Sequence, residues 1–298
     1  MTHTAALAPD TNEALERYDD WAWLYDQTVG PEYCDPQWRF LQRTVLPRVP
    51  AQADLLDLCC GTGQLMVPLA KQGHRLCGID SSPAMLTCAR RHVPQAELLQ
   101  ADARAFELPA RFDGVFSTSA SLNHIASLDD LGRVFACVFQ ALRPGGVFAF
   151  DLNHPEQLAR WWQGQPLEGD IADRFAWLIT PRYDAATRQG TFTVTMHRPA
   201  ESWRPGLTAL ARRALYRLLH RPRFIGLRLR ALQRFEQLEP GWLRTQGDYP
   251  VWGHPIDDVR RLLQAAGFQG IRVGTVDGDT PPDDRHSAHF IAIKEQAP

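Results

Sequence analysis

From Ala53 to Asn153 the chain alternates short apolar runs with stretches of helical periodicity, and this rhythm restricts the fold more than any other feature. Asp54–Cys59 (DLLDLC) reads as a buried strand, and Gln64–Gln72 as a helix stopped by Gly73. Arg75–Asp80 (RLCGID) is the next strand. Ser82 then stands as an N-cap with Pro83 at the first helical position, opening a helix that runs to about His92. Glu97–Ala101 and Phe112–Thr118 are further strands. Ser127 and Asp130 form the S-x-x-D start of a helix that ends at the turn Arg143-Pro144-Gly145-Gly146, and Val147–Leu152 (VFAFDL) is a fifth strand. Such alternation implies parallel strands with helices on both faces.

The rhythm resumes at Pro255. Ile256–Ala266 is an amphipathic helix with Gly267 just past its end, followed by strands near Phe268–Val276 and Ala288–Lys294. The loop between them holds Asp277, Asp279, Asp283 and Asp284, which reads as a solvated hairpin rather than a metal site. Residues 154–250 interrupt the pattern. Phe192–His197 (FTVTMH) alternates, and Arg234–Leu238 and Leu243–Gln246 add possible strands, so a small antiparallel layer inserted over one end of the sheet is expected. The chain divides on this reading into an N-terminal helical cap segment (1–50), a core (51–153), the insert (154–250) and the rest of the core (251–298).

Composition excludes several classes. With 298 residues, 44% hydrophobic and 22% charged, the chain buries a sizeable core and is neither disordered nor fibrous. Thirty-two basic against 34 acidic residues argue against a bulk nucleic-acid binder. No apolar run approaches the roughly 18–20 residues of a membrane span, and MTHTAALAPD does not read as a signal peptide. The six cysteines show no CxxC spacing, which suggests thiols in a reducing, cytoplasmic compartment. No metal-ligand pattern emerges; His74, His92, His286 and His289 read as surface residues. One segment departs from the balance: nine arginines and no carboxylate lie between Glu201 and Glu236. Its Leu/Arg helical spacing suits either cap helices with solvated arginines, some pairing with acidic residues elsewhere, or docking on an anionic membrane surface or acidic carrier protein.

The candidate site lies at the strand ends. Asp57-Leu58-Cys59-Cys60-Gly61-Thr62-Gly63 marks the first strand-to-helix turn, where small residues admit close backbone approach and the helix start offers free N–H groups. It is not the nicotinamide fingerprint G-x-G-x-x-G, because Met66 stands where the third glycine belongs. Asp80 ends the second strand 17 residues after Gly63, a position suited to accepting from both hydroxyls of a ribose.

DLCCGTG, GIDSSPAML, Ala101-Asp102-Ala103, FDGVFSTSASLNHI and LRPGGVFAFDLN, in that order, resemble the motif series of class I S-adenosylmethionine-dependent methyltransferases of the small-molecule type. The series covers roughly residues 53–153, and the segments at 255–294 complete the domain; Cys59 departs from the glycine frequent at its position. The resemblance implies a doubly wound, mostly parallel α/β sheet of seven strands, Rossmann-like, the last antiparallel. It implies S-adenosyl-L-methionine as methyl donor, with Asp57 and the backbone of Cys59, Cys60, Gly61 and Gly63 against it. Asp80 would hold the ribose, Ser81 would lie at the same edge, and Met85 would pack on the adenine. Asp102 and the Ala103 N–H would meet the adenine edge, and Ser117 and Ser119 the methionine end. Tyr18-Asp19-Asp20-Trp21-Ala22-Trp23-Leu24-Tyr25-Asp26 is similar to the YDxxAxxYD segment of that family, which implies a donor contact by Tyr18 or Tyr25.

Ser119–Ile125 resembles the corresponding segment of glycine and amino-sugar N-methyltransferases, whose histidine falls at His124; a neutral imidazole there takes a proton or orients an acceptor. Asn153 and His154, just past the fifth strand, face the same mouth by topology. The activity implied is methyl transfer to N or O of a small organic acceptor. The alternatives are methylation of RNA or protein, and a catalytically silent donor-binding subunit.

Overall fold

Asp54–Leu58 (β1) is buried from Leu55 onward, because it lies in the interior of a sheet covered on both faces. In the computed structural model, which describes residues 21–202 and 209–295, six more strands join it. They are Arg75–Asp80 (β2), Glu97–Gln100 (β3), Phe112–Ser117 (β4), Leu142–Leu152 (β5), Gln269–Gly274 (β10) and Ala288–Ile293 (β11). Their order is β10-β11-β5-β4-β1-β2-β3; β1 to β5 run parallel, and β11 pairs antiparallel with both β5 and β10. The order reverses between β1 and β4, which places a crevice at their carboxyl ends.

Period-two alternation divides the strand side chains between two cores. Leu56, Leu58, Val115, Phe148, Phe150 and Phe290 pack with Leu131, Val134, Phe135 and Val138 of helix Leu128–Ala141, and with Val259 and Leu263 of Ile256–Ala265. Leu55, Phe116, Val147, Ala149 and Ile291 pack on the other face against Phe40 and Leu41 of Val29–Thr44 (α1), Met66 and Leu69 of Met66–Lys71 (α2), and Leu86 of Pro83–His92 (α3). Ser82 Oγ accepts from the Met85 N–H and Ser127 Oγ from the Asp130 N–H, so both N-caps read from sequence form as expected, each worth about 1 kcal/mol. The helix after β1 starts at Met66 rather than Gln64, since Gln64 and Leu65 remain in the turn. β5 begins at Leu142, five residues before the expected strand; the Gly145 N–H bonds to Lys294 O and the Lys294 N–H to Gly146 O, extending the pairing into the turn.

Residues 161–251 form a second unit. Its antiparallel sheet has the order β6-β7-β8-β9: Glu168–Ile171, Ala176–Asp184, Gln189–Pro199 and Trp242–Trp252. Ile171, Ala176 and Leu178 pack with Tyr216, Leu219, Leu232 and Phe235 from the helices Ala209–Leu219, Ile225–Gln233 and Phe235–Leu238. Arg234–Leu238, expected as a strand, is therefore helical. Phe235 and Leu238 are three residues apart, the helical spacing, and Phe235 is buried against Tyr216 and Trp242.

The arginine-rich segment meets carboxylates from elsewhere in its own unit. Arg212 pairs with Glu239 at 3.0 Å, Arg217 with Asp173 at 3.6 Å and Arg228 with Asp170 at 3.7 Å. Some arginines of the segment thus pair with acidic residues elsewhere, as expected, while Arg221, Arg223 and Arg230 are exposed. Among the described residues no helix is long and apolar enough to cross a membrane, and no cluster of three or more His, Cys, Asp or Glu side chains is placed to hold a metal ion.

Candidate active site

The turn after β1 uses the left-handed backbone region three times, at Cys59 (φ 61°), Gly61 (φ 52°) and Gly63 (φ 73°). Gly63 also packs tightly on α3: a Cβ there would lie 3.0 Å from the Ala89 Cβ. Gly61 is different, because an added Cβ would meet only the Tyr25 ring, at 4.0 Å. Glycine at 61 therefore leaves open backbone facing the crevice. Cys59 occupies its left-handed position at a cost of roughly 1–2 kcal/mol to an L-residue, which is the physical reason glycine is frequent there in the family. Cys59→Gly should accordingly stabilise the protein by about 1 kcal/mol, the strain relieved exceeding the loss of a small side chain. Urea unfolding checks this, and an unchanged or lower midpoint would count against strain at Cys59.

Asp80 closes the turn. Its Oδ2 accepts from the Gly61 N–H at 2.8 Å and its Oδ1 from the Ser82 N–H at 2.9 Å, so the carboxylate ties the first turn to the start of α3. Asp57 lies nearby at the end of β1. Burial, with the Asp80 charge added, holds the Asp57 carboxyl well above the usual carboxylate range. Tyr25 completes the group. Its hydroxyl bonds to the Ser119 side chain, and burial together with the Asp80 and Asp57 charges raises its pKa. The helical residues 21–27 that carry Tyr25 are anchored by Asp26, whose carbonyl accepts from Gln64 Nε2 at 2.8 Å and whose carboxylate bonds His92 Nε2 at 2.7 Å. Tyr18 lies outside the described residues.

Asp57 makes the cofactor-free protein pH-dependent in a definite direction. Its folded-state pKa exceeds its unfolded value of about 3.9, so the folded state holds the proton more tightly. That contribution is fully present at low pH and is lost as pH rises from about 4 through the elevated folded pKa, at no more than about 1.4 kcal/mol per pH unit. Asp57→Asn stays neutral throughout. Its stability relative to wild type should grow with pH across that window in denaturation series; a difference independent of pH would show that Asp57 is not held protonated.

Along the β2–β3 edge, Ser81 is exposed, and its carbonyl accepts from Gln100 Nε2 at 3.2 Å. Met85 and Ala103 are buried. Both Asp102 oxygens bond Arg104, and that pairing keeps the Asp102 carboxyl below the usual range, an ionised acceptor. Ser117 is buried at the end of β4, beside Cys59.

After β4 comes a left-handed pair, Ser119 and Ala120, and then the short helical turn Ser121–His124. His124 is half-buried at the end of that turn. The neighbouring Asn123, not singled out by sequence, pins the turn in place. Its Nδ2 donates to Asn153 O at 2.9 Å and Trp252 O at 2.7 Å, and its Oδ1 accepts from the Asn153 N–H at 2.8 Å. His254 adds a second brace, donating to Ile125 O at 2.9 Å.

These braces correct two sequence expectations. Asn153 is held at its backbone by Asn123, and its Oδ1 accepts from Ser287 Oγ at 2.7 Å, so its side chain ties β5 to the approach to β11. His154 is 3% exposed, with Nδ1 on Glu156 Oε2 at 2.7 Å and Nε2 between the carbonyls of Asp283 and His286, each at 3.1 Å. Both ring nitrogens face acceptors within the fold, so His154 fastens the 283–286 loop. His289 is likewise buried, not a surface residue.

The site fits a nucleoside-bearing sulfonium. Open backbone at Gly61, the Asp80 carboxylate, an ionised acceptor at Asp102 and a buried, unpartnered hydroxyl at Thr62 lie at the carboxyl ends of β1, β2 and β3. These features define an α/β protein built to bind a nucleoside cofactor at its switch point.

Comparisons identify the family. Residues 55–146 match the model of a methyltransferase domain. The chain is 30% identical over 199 residues to the dTDP-3-amino-3,4,6-trideoxy-alpha-D-glucopyranose N,N-dimethyltransferase of Streptomyces venezuelae, covering 66% of this chain and 82% of that protein. It is 30% identical over 146 residues to the putative methyltransferase YqeM of Bacillus subtilis, but spans only 58% of that protein's length and 48% of its own. The sugar N-methyltransferase KedS8 from Streptoalloteichus shares the fold with a TM-score of 0.67 at 18% identity, covering 99% of this chain and 97% of that one. The chain belongs to the class I S-adenosylmethionine-dependent methyltransferases of the small-molecule type. Its methyl donor is S-adenosyl-L-methionine.

Proposed function

We propose that this enzyme methylates the amine of a small sugar-like acceptor, an amino sugar carried on a nucleoside diphosphate, in specialised metabolism. The observation that carries the reading is the similarity, over 82% of its length, to an amino-sugar N,N-dimethyltransferase. The position of His124 in the turn after β4 supports it.

When bound, the donor supplies an electrophilic methyl carbon on a sulfonium sulfur. Direct displacement needs no nucleophilic side chain, so the protein contributes alignment and exclusion of water. In this reading Asp80 holds the ribose, Asp102 and the Ala103 N–H hold the adenine edge beside Met85 and Ser81, and Asp57 lies under the first turn. The backbone of Cys59–Gly63, with Tyr25, Ser117 and Ser119, surrounds the methionine end, and His124 takes the proton that the amine loses. The unit 161–251 serves the acceptor rather than the donor, since every nucleoside motif lies outside it.

A cytoplasmic setting belongs to the same reading, supported by six free thiols. An anionic surface or acidic carrier would be met by the exposed Arg221, Arg223 and Arg230, in the same segment as the exposed Leu218, Ile225 and Leu227. The test of the main reading is mass spectrometry after incubation with labelled donor and separate pools of amino-sugar nucleotides, other small amines, RNA and protein. Labelled methyl groups should enter the amino-sugar pool; label entering only RNA or protein would overturn it.

A further inference from the structure

The turn after β4 is held in an uncommon shape. Ser119 and Ala120 are consecutive non-glycine residues at φ 61° and φ 56°, a conformation that L side chains rarely adopt. Something outside the turn must therefore fix it. β5 supplies that group. Within VFAFDL, an otherwise apolar buried run, Asp151 is 3% exposed. Its Oδ2 accepts from the Ala120 N–H at 3.0 Å, and the Ser119 N–H bonds to the same carboxylate. His289 pairs with Asp151 in register across β11. The Ser119 side chain in turn bonds the Tyr25 hydroxyl, and the Ala120 carbonyl accepts from the Asn123 N–H at 3.0 Å, at the start of the turn that ends in His124. One buried carboxylate thus stands behind both Tyr25 and the His124 turn.

We propose that Asp151 is a positioning residue for methyl transfer: it clamps the left-handed Ser119–Ala120 turn and thereby sets the Tyr25–Ser119 contact and the His124 turn in reacting register. The inference rests on the reading of Tyr25, Ser119 and His124 as site residues. Misplacement by an ångström at a reacting centre lowers turnover by about 10²-fold, whereas donor affinity depends mainly on groups at β1 to β3. Asp151 therefore acts mainly on kcat, with a smaller effect on donor binding through Tyr25 and Ser119.

The test compares Asp151→Ala, Asp151→Asn and the double variant Asp151→Ala/Ala120→Gly. Each is assayed for kcat at saturating donor and acceptor, for S-adenosylhomocysteine affinity by calorimetry, and for thermal unfolding. Asp151→Ala should lower kcat by about 10- to 100-fold while the dissociation constant changes less than about threefold. Asn keeps an oxygen for the Ala120 N–H and should retain most of the turnover. Glycine enters the left-handed region without strain, so Ala120→Gly should recover part of the turnover lost in the alanine background. A folded Asp151→Ala enzyme with wild-type kcat, or an Asn variant as impaired as Ala with no gain from glycine, would overturn the proposal. If Asp151→Ala fails to fold, Asp151→Asn and Asp151→Ser decide it: turnover should fall only in Ser, whose short side chain does not reach the turn, and equal turnover in the two overturns the clamp. Wild-type inactivity on every acceptor pool would instead count against the proposed function, so the two failures are distinguishable.

Discussion

Asp80→Ala should weaken binding of S-adenosylmethionine and S-adenosylhomocysteine by about 10- to 150-fold, equivalent to the roughly 1.5–3 kcal/mol of a hydrogen bond to a charged group. The loss has two expected sources. In the proposed reading the carboxylate at the end of β2 holds a ribose diol, and the same carboxylate holds the Gly61 and Ser82 N–H groups at 2.8 and 2.9 Å. The carboxylate proposed to hold the ribose therefore also shapes the turn that receives the donor. Asp80→Asn separates the two contributions, since it keeps one acceptor for the turn but lacks a second carboxylate oxygen for the diol. Calorimetry should rank wild type above Asn and Asn above Ala, with the fold retained in each. Normal affinity in a folded Asp80→Ala protein would remove Asp80 from the donor site.

His124→Ala should lower turnover by about 10²-fold or more, with donor affinity nearly unchanged. The turn Ser121–His124 is fixed by Asn123 to the chain at Asn153 and Trp252, so loss of the imidazole leaves the backbone in place. What is lost is the group proposed to accept the amine proton. Single-turnover and steady-state rates at saturating acceptor measure the effect. An unchanged rate would mean that the amine sheds its proton to water and that His124 shapes the pocket only.

The two caps at Ser82 and Ser127 and the first five strands were legible because each depends on residues close together in sequence. So was the turn at Cys59–Gly63. The strands β6 and β7 were not: Gly169 interrupts the first, and Pro181 reads as a breaker although it sits opposite Phe192 in the ladder. Asn153 and His154 stand just past β5, as topology implies, but the bonds that hold them leave no trace in the sequence. The carbonyls that hold His154 lie 129 and 132 residues further along, a distance over which no spacing carries information. Asp151 did leave a signal, a single carboxylate in an apolar buried strand. Asn123 left none, because an asparagine before a histidine in a polar turn looks like any loop residue. Cys59 shows the converse case, where a departure from the family motif keeps the backbone shape the motif requires.

The most direct measurement is transfer from donor carrying a ¹³C-labelled methyl group to an amino-sugar nucleoside diphosphate and to its hydroxyl counterpart, followed by carbon NMR of the products. The labelled carbon should appear bonded to nitrogen in the amino sugar, and the hydroxyl counterpart should remain unmethylated. Label bonded to oxygen, or no transfer to either compound while a macromolecule is labelled, would contradict the account.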